Sequence, residues 1–246
     1  MKKNHVRLDD LLVLKGLATS KSLAKSIIMS GKVLVEEKIQ DKPGHYFSEE
    51  SKIEIKNKLH NWVSRGGVKL DHGLRYFNIS VNNLVALDIG CSTGGFTHVL
   101  LEKGIKKIYA VDVGYGQLDS QLRLNPKITL LERTNSRYLT EESIPQKLDL
   151  IVCDVSFISL KKILISPLTL TSPKAQLIAL IKPQFEVGRA NVDKGGIVRN
   201  ESIRKKCCEE IIFWLENEIK WRVKNFTESP IRGAKGNVEY LIHAKK

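Results

Sequence analysis

The sequence predicts an α/β fold: a mostly parallel sheet with helices on both faces and an antiparallel hairpin at its end, preceded by a small α+β unit. From Leu84 onward, apolar runs such as LVALDIG, LDLIVCD and AQLIALIKP alternate with helical segments. Continuous apolar strands separated by helices are typical of a parallel sheet buried on both faces. The last two runs, WRVKNF and NVEYLIHA, are joined by the turn SPIRGAKG, which predicts a hairpin.

The N-terminal unit is predicted to contain two short helices and a small sheet. Leucines recur at helical spacing between Arg7 and Gly16, and a second amphipathic helix is predicted to end at Gly31. The runs KVLVE and KIEIK are typical of strands, with a turn at Glu37 and Lys38 after the first. The predicted boundaries are residues 1–58 for this domain, 59–63 for a linker and 64–246 for the second domain.

The segments of the second domain follow from hydrophobic spacing and from the glycines and prolines that end each run. Their order is strand LVALDIG, helix FTHVLLEKG, strand KKIYAVDVG, helix QLDSQLRL, strands ITLLE and LDLIVCD, a helix near Ser159–Leu170, strand AQLIALIKP, a helix of roughly 20 residues from Glu201, and the two hairpin strands. The run PQFEVGRANVDKGG has no apolar pattern, which predicts a loop that covers the site, with Arg189 and Lys194 facing either phosphate or solvent.

The charge of the chain bears on its partner. The formal net charge is +13, spread along the length, with a pI near 9.5. This balance indicates a polyanionic partner, either nucleic acid or an acidic membrane surface, or else a well-solvated basic surface, and charge alone does not separate these interpretations.

The location and the redox context also follow from the sequence. The segment MKKNHVRLDDLL has no apolar signal core and no apolar run is long enough to span a bilayer, which predicts a cytoplasmic protein without a membrane partner.

The cysteines form no CxxC pair and the histidines no HxxxH pair, so neither a zinc site nor a disulfide framework is predicted. Cys153 lies inside a predicted strand and is interpreted as a buried structural thiol rather than a nucleophile.

A run of small residues, DIGCSTGGFT, joins the first strand of the second domain to the next helix. Glycines at such a junction let a ligand approach the backbone and the helix N-terminus closely. The spacing of Gly90, Gly94 and Gly95 matches neither the dinucleotide fingerprint nor a P-loop. Asp88 at the strand end would repel a pyrophosphate, so a cationic ligand such as S-adenosylmethionine is favoured over a nicotinamide cofactor.

Two polar residues follow the next two strands. Asp112 lies about 20 residues beyond the glycine loop, where an acid can bond both hydroxyls of a ribose, and Asn135 is placed to read an adenine edge. Ligands of open α/β sheets bind at the carboxyl ends of the strands, where these residues fall. The predicted cofactor-binding residues are Asp88, Gly90, Ser92, Thr93, Gly94, Gly95, Phe96, Asp112, Asn135 and Asp154.

Charged residues at other strand ends indicate the chemistry. Lys182 ends the apolar run LIALIKP, a costly place for an unpaired ammonium, and therefore needs acidic partners. Asp154 and Glu239 are candidate partners, and Lys69 completes a cluster of two cations and two anions. A lysine held in this way can orient an aliphatic hydroxyl and remove its proton during methyl transfer. A structural ion-pair network is an equally ranked alternative.

The run RLDDLLVLKGLATSKSLAKSIIMSGKVLVEEKIQDKPG resembles the S4 RNA-binding module. The resemblance implies that the helix pair contacts folded RNA through its shape and its phosphates. Without it, solvated helix faces are the better interpretation of the same lysines. Trp62 is interpreted as an interdomain packing residue rather than a base-stacking platform. The predicted RNA-binding residues are Arg7, Lys15, Lys21, Lys25, Lys32, Arg65 and Arg189.

Seven further motifs follow that module: WVSRGGVKL, ALDIGCSTGGFT, VDVGYGQL, LERTN, DLIVCDVSFISL, IKPQFEVGR and GNVEYL. In this order they resemble the TlyA family, often labelled haemolysin A and similar to FtsJ-like ribosomal RNA methyltransferases. The resemblance implies a Rossmann-like class I methyltransferase that methylates cytidine ribose 2'-hydroxyls in 16S or 23S ribosomal RNA, or both, with S-adenosylmethionine as donor. The Lys-Asp-Lys-Glu tetrad of such enzymes carries over to Lys69, Asp154, Lys182 and Glu239.

The chain departs from the usual pattern of that family at three places. Cys91 stands in the glycine loop, His98 follows GGFT where an acid is frequent, and the linker reads HNWV without the common arginine. The implied partner is ribosomal RNA or a ribosomal subunit. Two rival functions are a non-catalytic RNA-binding protein and a membrane-damaging haemolysin, and the lack of a spanning segment disfavours the second.

Overall fold

A computed structural model of the chain describes residues 5–18, 20–29, 31–55 and 62–246. The chain separates into two units, Met1–Asn61 and Trp62–Lys246. The predicted linker, 59–63, overlaps this boundary, and residues 59–61 of it lie outside the described residues.

The N-terminal unit packs two helices against small antiparallel sheets. Its elements are β1 (His5–Arg7), α1 (Leu8–Leu14), α2 (Lys21–Met29), β2 (Val33–Val35), β3 (Lys38–Gln40), β4 (Tyr46–Ser48) and β5 (Ile53–Ile55). β1 pairs with β4, and β2 lies between β3 and β5. The apolar faces of both helices meet β2 in one core, which includes Leu12, Ala24, Ile28, Val33 and Val35.

Glycine and the turn residues set the bounds of these elements. α1 ends at Leu14, and Gly16 beyond it has a φ of 68°, a left-handed conformation that glycine adopts without steric cost. The turn predicted at Glu37 and Lys38 lies one residue earlier, because Glu36 and Glu37 both have positive φ and Lys38 already begins β3.

The second unit consists of one large sheet and the helices that cover it. Its elements are α3 (Gly66–Tyr76), β6 (Val85–Ile89), α4 (Gly95–Glu102), β7 (Lys107–Val111), α5 (Ser120–Arg123), β8 (Ile128–Leu131), β9 (Leu148–Cys153), α6 (Leu160–Ile163), α7 (Ile165–Thr169), β10 (Thr171–Ile181), α8 (Pro183–Glu186), α9 (Glu201–Phe213), β11 (Arg222–Glu228) and β12 (Tyr240–Lys245). One π-helical turn, Trp214–Glu218, continues α9.

The sheet has the strand order β11-β12-β10-β9-β6-β7-β8. β10, β9, β6, β7 and β8 are parallel neighbours, whereas β12 lies antiparallel to both β10 and β11. The predicted fold class, a mostly parallel sheet with a C-terminal antiparallel hairpin, is therefore confirmed. Ile89 of β6 is aligned with Val111 of β7 and with Cys153 of β9, so the residues that follow these three strands share one edge.

Side chains of the central strands alternate between two buried cores. Leu177 and Ala179 of β10 belong to the core beneath α6, α7 and α9, while Ile178 and Leu180 belong to the core beneath α3 and α4. Both faces of the strand are buried, which explains why its sequence is continuously apolar instead of alternating.

Three helical regions differ from the predictions. α3 was not predicted, because Gly66, Gly67 and Gly73 lower its helix propensity, yet Leu70 and Leu74 bury its inner face. The helix expected near Ser159–Leu170 is divided into α6 and α7, and the predicted covering loop contains the short helix α8.

Trp62 packs within the second unit. Its ring stands edge-on to the imidazole of His98, with centroids 5.6 Å apart, and lies against Gly67 of α3. The Val63 N–H donates to His98 Nδ1 at 3.1 Å, which fixes the start of this unit on α4. The contacts support packing as the role of the tryptophan.

Gly67→Ala is expected to destabilise the protein, whereas Gly73→Ala in the same helix is expected to be tolerated. A Cβ on Gly67 would lie 2.3 Å from Trp62 Cγ, but one on Gly73 would lie 3.4 Å from Leu241 Cδ1, an ordinary contact. Overpacking costs about 1–3 kcal/mol, and helix propensity returns up to about 1 kcal/mol in either variant. Urea denaturation measures the difference, and equal losses in both variants would contradict the packing explanation.

Candidate active site

Four charged side chains meet at the edge of the sheet where its parallel strands end. Asp154 follows β9, and Lys182 follows β10, the parallel neighbour of β9. Glu239 precedes β12, which runs antiparallel to β10 and therefore begins at the same edge. Lys69 projects from α3. The structure thus brings together the four residues of the predicted cluster, named here the tetrad.

Ion pairs link the tetrad in one continuous series. Lys69 Nζ lies 2.6 Å from Glu239 Oε2 and 3.5 Å from Asp154 Oδ2. The other carboxylate oxygen of Asp154, Oδ1, lies 2.6 Å from Lys182 Nζ. Lys182 Nζ also donates to Ser156 Oγ at 3.1 Å. The carboxylate of Asp154 therefore joins the two ammonium groups.

Burial makes this pairing obligatory. The exposed fraction is 4% for Lys69, 7% for Lys182 and 2% for Glu239. An unpaired charge at such depth costs several kcal/mol, on the order of 3–5 when one partner of a buried pair is removed. The charges of the two ammonium groups and the two carboxylates sum to zero, so removal of any one of them would leave a buried charge without its partner.

The tetrad lines a cavity of about 360 Å³, named here the acceptor cavity. Phe157 and Phe185 stand on its wall, as does Arg65. A second cavity of about 550 Å³, named here the donor cavity, shares with it the lining residues Gly90, Ser92, Asp154, Ser156 and Phe157. Asp154 therefore touches both spaces.

Glycines let three backbone segments approach each other at the acceptor cavity. A Cβ on Gly90, whose φ is 79°, would lie 2.9 Å from the carbonyl oxygen of Asp154. A Cβ on Gly95 would lie 2.3 Å from Ser64 Oγ and 2.9 Å from the backbone nitrogen of Gly67. The small residues of the loop thus hold the end of β9 and the start of α3 close together.

The donor cavity carries the polar residues predicted to hold a nucleoside. The Asp112 carboxylate accepts the N–H groups of Ser92 and Gly114 at 2.8 Å each. Asn135 Oδ1 accepts the N–H of Arg137 at 3.1 Å. Both side chains are thereby oriented on the cavity wall at the ends of β7 and β8.

The donor cavity suits a ligand without phosphate. Its described lining residues include no lysine or arginine, so a pyrophosphate would meet the carboxylate of Asp112 without a cation on the same wall. An acid and an amide after successive parallel strands match the hydroxyls of a ribose and the edge of a base.

Comparison with known proteins identifies the fold family of this site. The sequence pattern of FtsJ-like methyltransferases matches residues 62–246, and the pattern of the S4 domain matches residues 6–53. The chain belongs to the FtsJ-like methyltransferases. Within that family it has the TlyA arrangement, in which an S4 domain precedes the methyltransferase domain.

Several relatives match nearly the whole chain. The YqxC protein of Bacillus subtilis is 42% identical over 99% of this chain and 86% of its own length. The "16S/23S rRNA (cytidine-2'-O)-methyltransferase TlyA" of Mycobacterium tuberculosis is 40% identical over 97% of this chain and 89% of its own length. A solved structure from Streptococcus thermophilus has a TM-score of 0.78 at 38% identity and covers 99% of this chain and 89% of its own.

The methyltransferase domain places most of the predicted donor residues on a cavity wall. Gly90, Ser92, Thr93, Gly95, Phe96 and Asp154 line the acceptor cavity, and Gly90, Ser92, Asp112, Asn135 and Asp154 line the donor cavity.

Two of the predicted donor residues lie behind the wall. Asp88 is fully buried and accepts a hydrogen bond from Thr97 Oγ1 at 2.6 Å. It shares a strand face with Ala86, which points towards α4. A Cβ on Gly94 would face Leu122 Cδ1 at 2.4 Å. We therefore interpret both as residues that shape the glycine loop from inside.

Two predicted RNA contacts in the S4 domain already have acidic partners. Arg7 Nη2 lies 2.9 Å from Asp9 Oδ2, and Lys21 Nζ lies 2.7 Å from Asp10 Oδ1. The hydrogen bond from Arg7 also holds the pKa of the Asp9 carboxyl below its usual value. These pairs reduce the positive charge that either cation offers to phosphate.

The other predicted RNA contacts differ in exposure. Lys15, Lys25 and Arg189 are exposed, and Lys32 is half-buried. Arg65 is exposed and also lines the acceptor cavity, which places a cation beside the tetrad.

Several residues of the acceptor cavity were missed in the sequence. Ser156 binds Lys182, and Phe157 is 90% exposed with a φ of 66°, although bulky residues rarely adopt positive φ. Its ring centroid lies 5.0 Å from that of Phe185. The available signal was an aromatic residue three positions after each of two charged strand ends, in DVSF and KPQF.

The structure bears on two further hypotheses, that Cys153 is a nucleophile and that the protein acts on membranes. Cys153 is fully buried, and burial raises the pKa of its thiol, which suits a structural residue. In the described part of the chain, the helices are too short or too polar for any of them to cross a membrane.

Asp88 is expected to make the stability pH-dependent. Burial raises its pKa from 3.8 to about 7, against the opposing hydrogen bond from Thr97. Between these two pKa values the folded state keeps a proton on Asp88 that the unfolded state loses. The stabilisation that this proton gives is therefore complete below pH 3.8 and is lost as the pH rises through about 7.

Asp88→Asn removes that loss. The stability of the variant relative to the parent should rise by about 1.4 kcal/mol per pH unit between the two pKa values and level off above the higher one. Urea denaturation across this pH range measures the difference, which would be constant if Asp88 were ionised throughout.

Proposed function

We propose that this chain transfers a methyl group from S-adenosylmethionine to the ribose 2'-hydroxyl of a cytidine in ribosomal RNA. The observation that carries the proposal is Lys182, which is buried on the wall of the acceptor cavity and paired at 2.6 Å with Asp154, a residue that lines both cavities. The name of the Mycobacterium tuberculosis relative supports the choice of cytidine and of 16S or 23S ribosomal RNA.

The donor cavity supports S-adenosylmethionine as the methyl donor. When bound, this group supplies an electrophilic methyl carbon. Asp112 is proposed to bind the ribose hydroxyls and Asn135 the adenine edge, while the glycine loop leaves room for close approach. The carboxylate of Asp112, which lies outside the tetrad, contributes a negative charge that favours a cationic ligand.

Lys182 is proposed to act on the acceptor. Its ammonium group has bonds to Asp154 and Ser156, which fix the direction of Nζ in the cavity. Bound S-adenosylmethionine would supply the methyl group, and Lys182 Nζ would orient the 2'-hydroxyl and take up its proton during the transfer. Asp154 then stabilises the resulting ammonium.

The other two tetrad residues are proposed to position Asp154. Lys69 lies between Glu239 and Asp154 and is itself almost closed to solvent. Gly233 leaves the space that the Glu239 carboxylate occupies, since a Cβ there would lie 2.0 Å from Oε1. This packing keeps Glu239 paired with Lys69 and thereby keeps Asp154 directed at Lys182.

The aromatic wall of the acceptor cavity supports a nucleotide substrate. Phe157 and Phe185 offer ring faces beside the tetrad, and a base stacked on such a face is stabilised by about 1–3 kcal/mol. Arg65 is available for a phosphate of the same strand. A base held there would place its sugar near Lys182.

The S4 domain supports a structured RNA as the substrate. Lys15 and Lys25 on its helices are exposed, and the chain carries a net charge of +13. A ribosomal RNA substrate places the enzyme in the cytoplasm.

The test is methylation of separated ribosomal subunits with labelled donor, followed by alkaline hydrolysis. Methylation of a 2'-hydroxyl removes the internal nucleophile that alkali requires, so we expect label at a bond that resists cleavage. Label at an alkali-sensitive bond would show methylation of a base and would overturn the ribose assignment.

Lys182→Ala is expected to reduce turnover by about 10²–10⁴-fold, the usual contribution of a proton-transferring group. Donor affinity, measured by titration calorimetry, should change little, because Asp112 and Asn135 remain. Lys224→Ala removes an exposed lysine on β11 and serves as the control. Turnover of Lys182→Ala within a few-fold of this control would refute the role of Lys182.

A further inference from the structure

Two loops carry the acceptor-binding side chains of the site. The β9 loop, residues 154–159, contains Asp154 and Phe157, and the β10 loop, residues 182–187, contains Lys182 and Phe185. The relative position of these two loops therefore determines whether Lys182 meets Asp154 and whether Phe157 lies beside Phe185.

The loops are joined at both ends. At one end, Lys182 holds Asp154 at 2.6 Å and Ser156 at 3.1 Å. At the other end, the Glu186 carboxylate accepts the Ser159 hydroxyl at 2.6 Å and the Leu160 N–H at 2.8 Å. The two aromatic rings lie between these joints, with centroids 5.0 Å apart.

The carboxylate of Glu186 does more than cap α6, because it accepts both the N–H of Leu160, the first residue of that helix, and the hydroxyl of the N-cap residue. Ser159 is already the N-cap of α6, and its own Oγ accepts the Lys161 N–H. Burial raises the pKa of Glu186, and the two groups that donate to it are neutral. A half-buried acid without a bonded cation is costly, so its contribution is the connection between the two loops.

The connection between the two loops maintains an unusual backbone conformation at Phe157. This residue has a φ of 66° and is 90% exposed. A bulky residue in this conformation persists only where the surrounding structure determines it. Ser156 on one side is bound to Lys182, and Ser159 on the other is bound to Glu186.

We infer that Glu186 is a positioning residue that fixes the β9 loop on the β10 loop and so holds Phe157 beside Phe185 for the target base. This inference rests on the proposed function, because it assigns the aromatic pair to the methylated nucleotide. It adds a residue outside the tetrad that controls engagement of the RNA.

Three variants and a control test the inference. Glu186→Ala removes both bonds, and Ser159→Ala removes one of them together with the N-cap bond from the Lys161 N–H. Glu186→Gln keeps an oxygen for the Leu160 N–H, and its amide group can donate to a rotated Ser159 hydroxyl. Glu141→Ala removes an exposed acid that is paired with Lys147 before β9 and is the matched control. Phe157→Ala provides the reference for loss of the ring.

Each variant is assayed for donor affinity, for kcat and KM with the RNA substrate, and for quenching of a fluorescent cytidine analogue at the target position. Glu186→Ala should lower kcat/KM for RNA about tenfold or more, since hydrogen bonds to a charged group are lost. It should also reduce quenching as Phe157→Ala does, with donor affinity within about twofold of the parent. Glu186→Gln and the control should remain near the parent.

Unchanged kcat/KM and quenching in Glu186→Ala would overturn the inference. Losses in Glu186→Gln equal to those in Glu186→Ala would also overturn it, as would a loss of donor affinity as large as the loss of kcat/KM. If Glu186→Ala does not fold, Ser159→Ala decides, with a smaller loss of the same kind expected and normal behaviour contradicting it. A parent protein that methylates no ribose would refute the proposed function instead, whereas an active parent with an unaffected Glu186→Ala would refute only the role of Glu186.

Discussion

The contact between Lys182 and Asp154 is the interaction on which the rest of the site depends. A lysine at the end of a buried strand is stable only if a carboxylate meets it, and that carboxylate is supplied by the parallel neighbour, β9. The second ammonium, Lys69, requires Glu239 in turn. The antiparallel placement of β12 is what brings Glu239 to the same edge.

Close backbone packing makes this charge cluster geometrically possible. Lys69 reaches Asp154 because α3 approaches the glycine loop at Gly95, where a side chain would collide with Ser64 and Gly67. Another glycine of the same loop, Gly90, lines both cavities. The glycines therefore serve ligand access and the assembly of the tetrad together, and neither effect is separable from the other.

The aromatic pair and the charged pair belong to the same two loops, which links chemistry to recognition of the acceptor. Movement of one loop would separate Phe157 from Phe185 and alter the bonds of Lys182 as well. Substitutions in these loops, even at residues without contact to the reacting atoms, are thus expected to act through position rather than through charge.

The sequence by itself determined the order of strands and helices, the small residues of the glycine loop and the charged residues at strand ends, because periodicity and turn preference act over short distances. Only the tertiary structure decided that Asp88 points inward to Thr97, that Arg7 is paired with Asp9, and that Glu186 spans two loops. The helix α3 also required it, since burial of Leu70 overrides the weak propensity of its glycines. Side-chain partners depend on contacts between residues far apart in the chain, and no local pattern encodes them.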